Sequence, residues 1–406
     1  MGLTERARLV AATAGLLRSQ WWSRERIRAY QGERLVAQLR HAAARVPFYR
    51  DLGLDSPAIR AVRDLERFPV VTKADVRGAG RRFLDDAVEP ERLFQSRSSG
   101  TTGEPAVTYF DAGSWLLTKH ALKARRVLAD VKRPGQRVLV LSELRYAAER
   151  PSLLGALAKP LVSLRGLSLL DDIGANLGAF IEFRPTMVYG FPSYLLALAE
   201  AARERGTVLP RVPLVYTSSE TLTAEVRKSL ESAYRGRVAD VYGCTEFKEI
   251  AVQCPHGRYH VNFESVYLES VADGEGGPPR LLVTTLVNKA MPLIRYTLGD
   301  AGRLVDEDCP CGRQSPQIVE LHGKLAEGLV FPDGTRVALS KLLAVLDAQL
   351  SVRDFRIVHE EPERLSIALL ARPPLAEPAR RALETEIRGL LPVGVAVRLV
   401  ELAARP

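Results

Sequence analysis

The residues with the clearest capacity for chemistry form a short run of small and hydroxyl-bearing side chains, Ser98-Ser99-Gly100-Thr101-Thr102-Gly103-Glu104-Pro105. Glycine loses the most conformational entropy on ordering, and Ser and Thr hydroxyls compete for the local backbone, so the run disfavours helix and strand interiors. Its backbone N–H groups, hydroxyls and missing Cβ atoms suit a loop that faces a polyanion. The run lacks the Gly-Lys-Ser/Thr ending of a Walker loop, and taken alone it is more typical of a flexible linker.

Two more polar clusters follow predicted strands. The strand predicted at 214–217 leads into Ser218-Ser219-Glu220, and the strand predicted at 238–242 leads into Gly243-Cys244-Thr245-Glu246. Ligands of open α/β sheets bind beyond the carboxyl ends of the strands, so these side chains are candidates for one binding site. Taken alone, a Thr-Glu pair after a strand is usually a helix cap.

Cysteine and histidine residues supply a second constellation. Three thiols and one imidazole match the Cys₃His composition of structural zinc, and the set is Cys254, His260, Cys309 and Cys311. His256 is a rival fourth ligand, and the alternative interpretation is three ordinary buried thiols. The remaining cysteine, Cys244, is predicted to be a spectator. Only four cysteines occur, which argues against a disulfide framework.

The elements that must position these residues alternate between strand and helix. Further strands are predicted at 138–142 and 187–190, with helices at 192–205 and 223–234, a pattern that favours a parallel α/β sheet. Residues 3–45 and 114–130 have helical periodicity, and residues 261–305 read as antiparallel strands. The first helix is predicted to bury Trp21, Ile27, Leu35, Leu39 and Ala42. A small α+β unit is predicted to begin near Gly323, with helices at 338–350 and 377–390 and strands at 355–358 and 365–370.

Composition limits the function classes. The 406 residues carry a net charge of +9, from 57 Lys and Arg against 48 Asp and Glu. The arginines are spread along the chain without a basic block, which argues against nucleic-acid binding and suits phosphorylated small molecules. The apolar run at 9–17 is too short for a membrane span and has no cleavage-site pattern after it, so we expect a cytoplasmic protein.

Three motifs occur in order and with fitting spacings: residues 98–105, Tyr242-Gly243-Cys244-Thr245-Glu246, and Ile294-Arg295-Tyr296-Thr297-Leu298-Gly299-Asp300. Together they resemble the core motifs of the adenylate-forming superfamily of acyl-CoA synthetases. The chain is most similar to the phenylacetate–CoA ligase branch, with its CapK capsule-biosynthesis and coenzyme F390 synthetase relatives. Supporting matches are Trp22, Glu25, Gln31, His41-Ala42, Val46–Arg50, Phe68–Lys73 and Phe191–Tyr194.

The resemblance implies a fold and a reaction. The fold is α/β, with a large adenylate-forming N-terminal domain of mixed sheets and helices (1–322) and a small, shortened α+β C-terminal domain (323–406). The reaction joins a carboxylic acid, by family default a small aromatic one, to ATP as an acyl adenylate. A thiol (CoA or a carrier protein) or an amine then accepts the acyl group. The carboxylate of the acid and the α-phosphate of ATP are both negatively charged and repel each other. The site therefore needs hydrogen-bond donors and a cation to offset this charge.

The resemblance also assigns roles to residues. The 98–103 loop would hold the β- and γ-phosphates, Thr245 would donate to the α-phosphate, and Glu246 would carry Mg²⁺. Asp300 would accept hydrogen bonds from the ribose hydroxyls, and Tyr242 would stack on adenine. The nucleotide site would be completed by Ser219, Glu220, Gly243 and Arg313. The acyl pocket would contain Tyr189, Gly190, Phe191 and Tyr194, which by physical criteria alone are equally typical of core packing. Related proteins carry a zinc site similar to the Cys₃His set.

Three departures from the family pattern bear on the chemistry. Glu104 stands where the loop usually has lysine, and Gly323-Lys324 stands where the hinge usually has Gly-Arg. The closing Ser-Gly-Lys segment is absent from the tail, and its lysine normally bridges the acyl carboxylate and the α-phosphate. Lys324, Lys248 and Lys341 are candidate replacements, with Lys324 assigned to the reaction. The alternative function is a non-adenylating descendant, which would bind nucleotide or acyl ligand as a partner protein or transfer acyl groups without ATP. The oligomeric state that we consider for the protein is a homodimer.

Overall fold

The computed structural model describes residues 2–97, 106–130, 134–142, 162–272, 278–324, 329–337, 341–342, 345–346, 348–349, 352–361, 363–371 and 374–402. Helices α1 to α10 span Leu3–Ser19, Arg24–Arg45, Pro47–Arg50, Lys73–Ala79, Ala112–Trp115, Leu122–Ala129, Ile173–Phe183, Pro192–Glu204, Ala224–Tyr234 and Glu377–Gly389. The 98–105 loop and much of the helix predicted at 338–350 lie outside the described residues.

Eighteen strands are described. Strands β1 to β9 span Phe94–Arg97, Val107–Phe110, Gln136–Ser142, Val162–Ser168, Met187–Gly190, Leu214–Ser218, Arg237–Cys244, Lys248–Gln253 and Tyr259–Val261. Strands β10 to β18 span Val266–Val271, Arg280–Thr285, Tyr296–Val305, Gln317–Lys324, Leu329–Val330, Arg336–Val337, Val352–Glu361, Arg364–Ala371 and Ala396–Glu401.

The helical stretch predicted at 3–45 is two helices, α1 and α2, with a break at 20–23. The hydroxyl of Ser23 accepts from the backbone N–H of Arg26 and so caps the start of α2. Trp21 lies in this break and is 56% exposed, so the prediction that it is buried is wrong. The other four residues of the predicted face are buried: Ile27, Leu35, Leu39 and Ala42.

One sheet of eleven strands forms the centre of the molecule, in the order β10-β11-β12-β13-β9-β8-β7-β6-β5-β3-β4. Strands β3 to β7 pair in parallel, as the strand–helix alternation predicts. From β8 onward the pairing is antiparallel, which confirms the antiparallel strands predicted at 261–305. The parallel and antiparallel segments are therefore halves of the same sheet.

Both faces of the parallel half are covered. Helices α7, α8 and α9 pack on one face against Leu139, Val188 and Val215. Alternate residues of the same strands point to the other face, where Val127 of α6 packs. Because β5, β6 and β7 are parallel, their carboxyl ends meet at one edge of the sheet.

The segment before α6 differs from its prediction. A single helix predicted at 114–130 is three pieces: α5, a π-helical turn at Leu116–Ala121, and α6. Wide turns of this kind are frequent at functional sites. Strands β1 and β2 form a two-stranded ribbon in which Arg97 pairs with Val107, on either side of the loop predicted at 98–105.

The C-terminal part has its own small core. Strands β16, β17 and β18 form a three-stranded sheet, and its apolar core includes Leu365, Ile367 and Leu383 of α10. Strand β13 of the large sheet continues to Lys324, so it crosses the predicted boundary at 322/323 by two residues. The division into two domains stays a prediction. No helix in the described ranges combines the length and the apolar run that crossing a membrane requires.

Candidate active site

Glu246 lies in the tight turn that joins β7 to β8. Gly243 pairs with Glu249 across this hairpin, and a Cβ at Gly243 would lie 2.0 Å from the carbonyl oxygen of Lys248. Only glycine allows that approach, so the turn depends on it. Glu246 is 7% exposed and accepts a hydrogen bond from the Tyr296 hydroxyl at 3.1 Å. Burial raises the pKa of Tyr296, which keeps the hydroxyl protonated as a donor.

Tyr242 and Asp300 are brought together as a buried pair. The Tyr242 hydroxyl donates to Asp300 Oδ2 at 2.7 Å, and burial raises the pKa of Tyr242 well above its usual value. Asp300 lies in β12, and its backbone is opposite Lys324 in β13. Two motifs that are 58 residues apart in sequence therefore converge on one carboxylate. The stacking of Tyr242 on adenine stays a prediction.

Lys248 directs its ammonium group toward the same turn. Its Nζ donates to the carbonyl oxygen of Thr245 at 2.9 Å and to the hydroxyl of Ser96 in β1. It also lies 5.0 Å from the ring centroid of Phe110 and 5.2 Å from that of Trp115. Burial lowers the pKa of Lys248 to about 8. Of the three lysines considered from the sequence, Lys248 has described contacts with the Thr245–Glu246 turn.

The sequence analysis missed a basic row on the segment that carries α6. Lys119, Lys123 and Arg126 follow one another at intervals of four and three, a spacing that places them on one helical face and was visible in the sequence. Lys123 Nζ lies 5.9 Å from the ring centroid of Tyr189, and Arg126 lies 4.8 Å from the same ring. Burial lowers the pKa of Lys123 to about 8.

The residues predicted for the acyl pocket lie at the end of β5 and the start of α8. Tyr189 is paired with Tyr216 of β6 in the parallel register. The Tyr194 hydroxyl accepts from the side-chain amide of Asn176 at 2.6 Å. Phe191 is the N-cap residue of α8, and Gly190 ends β5. These residues adjoin the carboxyl edge of the sheet, and their contact with an acid stays a prediction.

Ser219 and Glu220 follow β6 in an unusual backbone conformation. Ser219 has a φ of 75°, which a residue with a Cβ adopts only at an energetic cost, and such outliers cluster at functional sites. The Glu220 carboxylate accepts from the backbone N–H and the hydroxyl of Ser193, at 2.9 and 2.7 Å. Glu220 therefore anchors the start of α8, and its part in an adenine pocket stays a prediction.

Arg313, which was predicted to help complete the nucleotide site, contacts Gln20 and Trp21. Its Nε and Nη2 both donate to Gln20 Oε1, at 3.3 and 3.2 Å, and its guanidinium lies 5.4 Å from the Trp21 ring. Arg313 borders the same cavity as His260 and Cys311. Its described contacts do not bring it to the Tyr242–Asp300 pair.

The thiol cluster has the dimensions of a metal site. The ligand atoms of Cys254, His260, Cys309 and Cys311 all lie within 4.8 Å of one another. Cys254 Sγ is 3.7 Å from Cys309 Sγ, and Cys311 Sγ is 3.3 Å from His260 Nε2. Tetrahedral zinc with Zn–S bonds of about 2.3 Å separates two sulfurs by about 3.8 Å. The four residues therefore fit a zinc ion.

The histidine of the cluster is oriented for this role. His260 Nδ1 is 3.1 Å from the Ser315 hydroxyl, which leaves Nε2 directed at the thiols. Burial lowers the pKa of His260 to about 4, and the charge of Arg313 acts in the same direction, so the imidazole is neutral, as a metal ligand must be. His256 instead donates its backbone N–H to Cys254 Sγ at 3.4 Å. The geometry favours His260 over His256.

Comparison with known proteins gives consistent results. Residues 3–266 match the family described as AMP-binding enzyme. The chain is 30% identical over 357 residues to the phenylacetate-coenzyme A ligase of Thermus thermophilus, covering 80% of this chain and 76% of that protein. It is 23% identical over 258 residues to the protein CapK of Staphylococcus aureus, covering 61% of this chain and 55% of CapK.

A solved structure has the same fold. The 2-hydroxyisobutyryl-CoA ligase in its postadenylation state matches with a TM-score of 0.76 and 21% identity, covering 94% of this chain and 88% of that chain. The predicted fold class and family resemblance are confirmed.

Proposed function

The chain belongs to the AMP-binding enzyme family, and from this premise we propose that it is an ATP-dependent, AMP-forming ligase that joins a carboxylic acid to a thiol. The observation that carries the proposal is the convergence of Glu246, Lys248 and the Tyr242–Asp300 pair at the carboxyl edge of the sheet. Ligands of open α/β sheets bind at such an edge. The alternative of a non-adenylating descendant is not favoured by the relatives, which include a phenylacetate-coenzyme A ligase.

The proposed reaction has two steps. In the first, a carboxylate oxygen of the acid forms a bond to the α-phosphorus of ATP, and the bond from that phosphorus to pyrophosphate breaks. In the second, the sulfur of a deprotonated thiol bonds to the carbonyl carbon, and AMP leaves. CoA is the proposed thiol, because the name of the Thermus thermophilus relative specifies it. A small aromatic acid is the proposed substrate, and a carrier thiol or an amine is a further acceptor to test.

We assign roles in the first step, formation of the acyl adenylate, to Glu246, Asp300 and Lys248. Glu246, held by Tyr296, has a carboxylate suited to Mg²⁺, which when bound would neutralise phosphate charge. Asp300 is positioned by Tyr242 to accept from ribose hydroxyls. Lys248 brings positive charge to the end of β7, beside the carbonyl of Thr245. Among the lysines proposed for the role of the family's tail lysine it has the better support, since of Lys324 only the backbone position is described.

A structural zinc ion is proposed for the Cys₃His cluster. The interatomic distances, the Ser315 contact with His260 and the neutral imidazole support it. Cys309 and Cys311 lie in the loop between β12 and β13, whereas Cys254 and His260 flank the β8–β9 turn. Zinc would join these two segments and stabilise the fold, without a part in the reaction. A cytoplasmic location and a homodimer stay predictions from the sequence.

The test is pyrophosphate release from ATP and Mg²⁺ across a panel of aryl and alkyl acids, with hydroxylamine to trap the acyl adenylate. We expect release with one class of acid, and thioester formation when CoA is added. Glu246→Gln should lower the rate about 100-fold or more, because phosphate charge loses its cation. The exposed Glu91→Gln serves as the matched control and should keep the rate. Full activity of Glu246→Gln, or no release with any acid, would contradict the proposal.

A further inference from the structure

The helical segment 112–129 runs opposite in direction to strands β5, β6 and β7. Near its start, the Trp115 ring lies 5.2 Å from the Nζ of Lys248, which pairs with the last residue of β7. Just after its end, Asp130 forms an ion pair with Arg237, the first residue of β7. The earlier turns of the segment therefore adjoin the carboxyl edge of the sheet, where the candidate active site lies.

Lys123, in the first turn of α6, has an ammonium group without a partner. Its Nζ lies 5.9 Å from the ring centroid of Tyr189, and within the described ranges it forms no hydrogen bond and no ion pair. The nitrogen is also not fully buried, since among the described residues the fully buried side-chain atoms that lack a partner belong to Thr108, Arg237 and Ser366. A partly desolvated ammonium group that remains accessible is suited to binding an anion.

The carboxylate of Glu249 does not cancel the charge of Lys123, because it is already paired with Arg126. Arg126 donates from Nη2 at 3.0 Å and from Nε at 3.3 Å, and both side chains are 5% exposed. The guanidinium also lies 4.8 and 4.5 Å from the ring centroids of Tyr189 and Tyr216. Arg126 and Glu249 thus form a neutral pair beside these rings, and the charge of Lys123 remains in excess.

Two other lysines lie closer to the turn that carries Thr245. Lys248 donates to the carbonyl oxygen of Thr245 at 2.9 Å. Lys119 and Lys248 lie near the same Trp115 ring, with their Nζ atoms 5.7 and 5.2 Å from its centroid. These two cations belong with the proposed phosphate side of the site. Lys123 instead lies beside Tyr189, at the end of β5, where the acyl pocket is predicted.

The proposed reaction changes the charge on the acid. The carboxylate that is activated turns toward the α-phosphate and loses its negative charge when the acyl adenylate forms. An acid with a single carboxylate would therefore leave Lys123 unpaired beside Tyr189, and an unpaired charge in such a setting is unfavourable. A second carboxylate, at the other end of the acid, would remain charged and would pair with Lys123 in both steps.

We propose that the acid substrate is an aromatic dicarboxylate, whose second carboxylate pairs with Lys123 while its ring lies against Tyr189. This inference rests on the proposed ligase function and names the class of acid that the same site accepts. One ammonium group carries one positive charge, which matches a carboxylate better than a dianionic phosphate.

The test compares para-carboxyphenylacetate with para-nitrophenylacetate, whose neutral nitro group has the shape of a carboxylate, and the two meta isomers are compared in the same way. Each acid is titrated into the full chain by calorimetry in the presence of Mg²⁺ and α,β-methylene-ATP, which prevents turnover. Each is then assayed for pyrophosphate release with ATP. In at least one pair the dicarboxylate should bind about tenfold more tightly or better, because it gains a hydrogen bond between two charged groups.

Variants at Lys123 assign this preference to its charge. Lys123→Met should bind the carboxy and nitro acids with equal Kd, whereas Lys123→Arg, which retains the charge, should keep the preference. The KM for ATP should stay unchanged in both variants, because Lys119 and Lys248 lie on the phosphate side. Lys228→Met, at an exposed position of α9, is the matched control and should keep the wild-type preference.

The outcomes separate this inference from the ligase proposal. Equal affinity for the carboxy and nitro acids in both pairs, or an unchanged preference in Lys123→Met, would overturn the inference. A raised KM for ATP in Lys123→Met would also overturn it, because Lys123 would then belong to the phosphate side. Preference for the dicarboxylate without pyrophosphate release would support the inference and contradict the ligase proposal. Release with every acid but no preference would contradict the inference alone.

Discussion

Lys123 and Lys248 lie in surroundings that disfavour their charge. Burial lowers the pKa of each to about 8 from an ordinary value of 10.5. A buried cation is unfavourable for folding unless a partner offsets the desolvation, so its retention near a candidate active site points to a functional need. The sequence analysis named Lys248 among three lysines but assigned Lys324 to the reaction, because only the turn geometry reveals that Lys248 meets Thr245.

Replacing Lys123 by methionine should raise the free energy of unfolding at pH 7. The folded-state pKa lies below the unfolded value, so between pH 8 and 10.5 the unfolded state binds more protons. As the pH rises through that window, the free energy of unfolding of the wild type should therefore increase relative to that of the variant. The advantage of the variant over the wild type should shrink. Urea unfolding at pH 7 and pH 10 measures it, with the exposed Lys228→Met as the control. An equal difference at both pH values would contradict this.

At the scale of elements, local patterns predict the parallel strands and their helices well. The β1–β2 ribbon was not predicted, since both strands are short and the alternation in β2 buries Thr108 as well as Phe110, which a hydrophobicity pattern does not mark. The π-helical turn at 116–121 was read as ordinary helix, because apolar periodicity cannot distinguish a wide turn from a regular one. The Cys₃His set was predicted from composition, and only the fold shows that Ser315 orients His260.

Cys309→Ser should release the proposed zinc. With one thiolate missing, the remaining three ligands bind more weakly, and the link between the β8–β9 turn and the loop before β13 is lost. We expect about one zinc per chain in the wild type and much less in the variant, with a lower melting temperature. Metal analysis by mass spectrometry measures the first and calorimetry the second.

Three further variants test which residues bind the proposed zinc. Cys244→Ser removes a thiol outside the cluster and should keep the metal. His260→Ala should lose it, whereas His256→Ala should not, since His256 contacts Cys254 through its backbone. Wild-type protein without zinc, or Cys309→Ser with a full complement, would show that these are ordinary buried thiols.

At the scale of the whole molecule, the joining of strands β10–β13 to the rest of the sheet could not be predicted from sequence. The junction is the pairing of β9 with β13, where His260 lies opposite Gln317. Such a long-range register depends on closing a large loop and has no local signal. The same junction brings the two halves of the thiol cluster together, so the candidate metal site and the sheet topology share one cause.

The rung that pairs Asp300 with Lys324 has a thermodynamic consequence. Strand β13 ends at Lys324, and the C-terminal core comes after it in the chain, so one rung separates the carboxylate proposed to hold ribose from the strand end that leads to that core. If nucleotide binding favours one position of that core by some factor, that position must strengthen nucleotide binding by the same factor. Hydrogen exchange at the amides of this rung should slow when ATP binds. Unchanged exchange would mean that the two equilibria are independent.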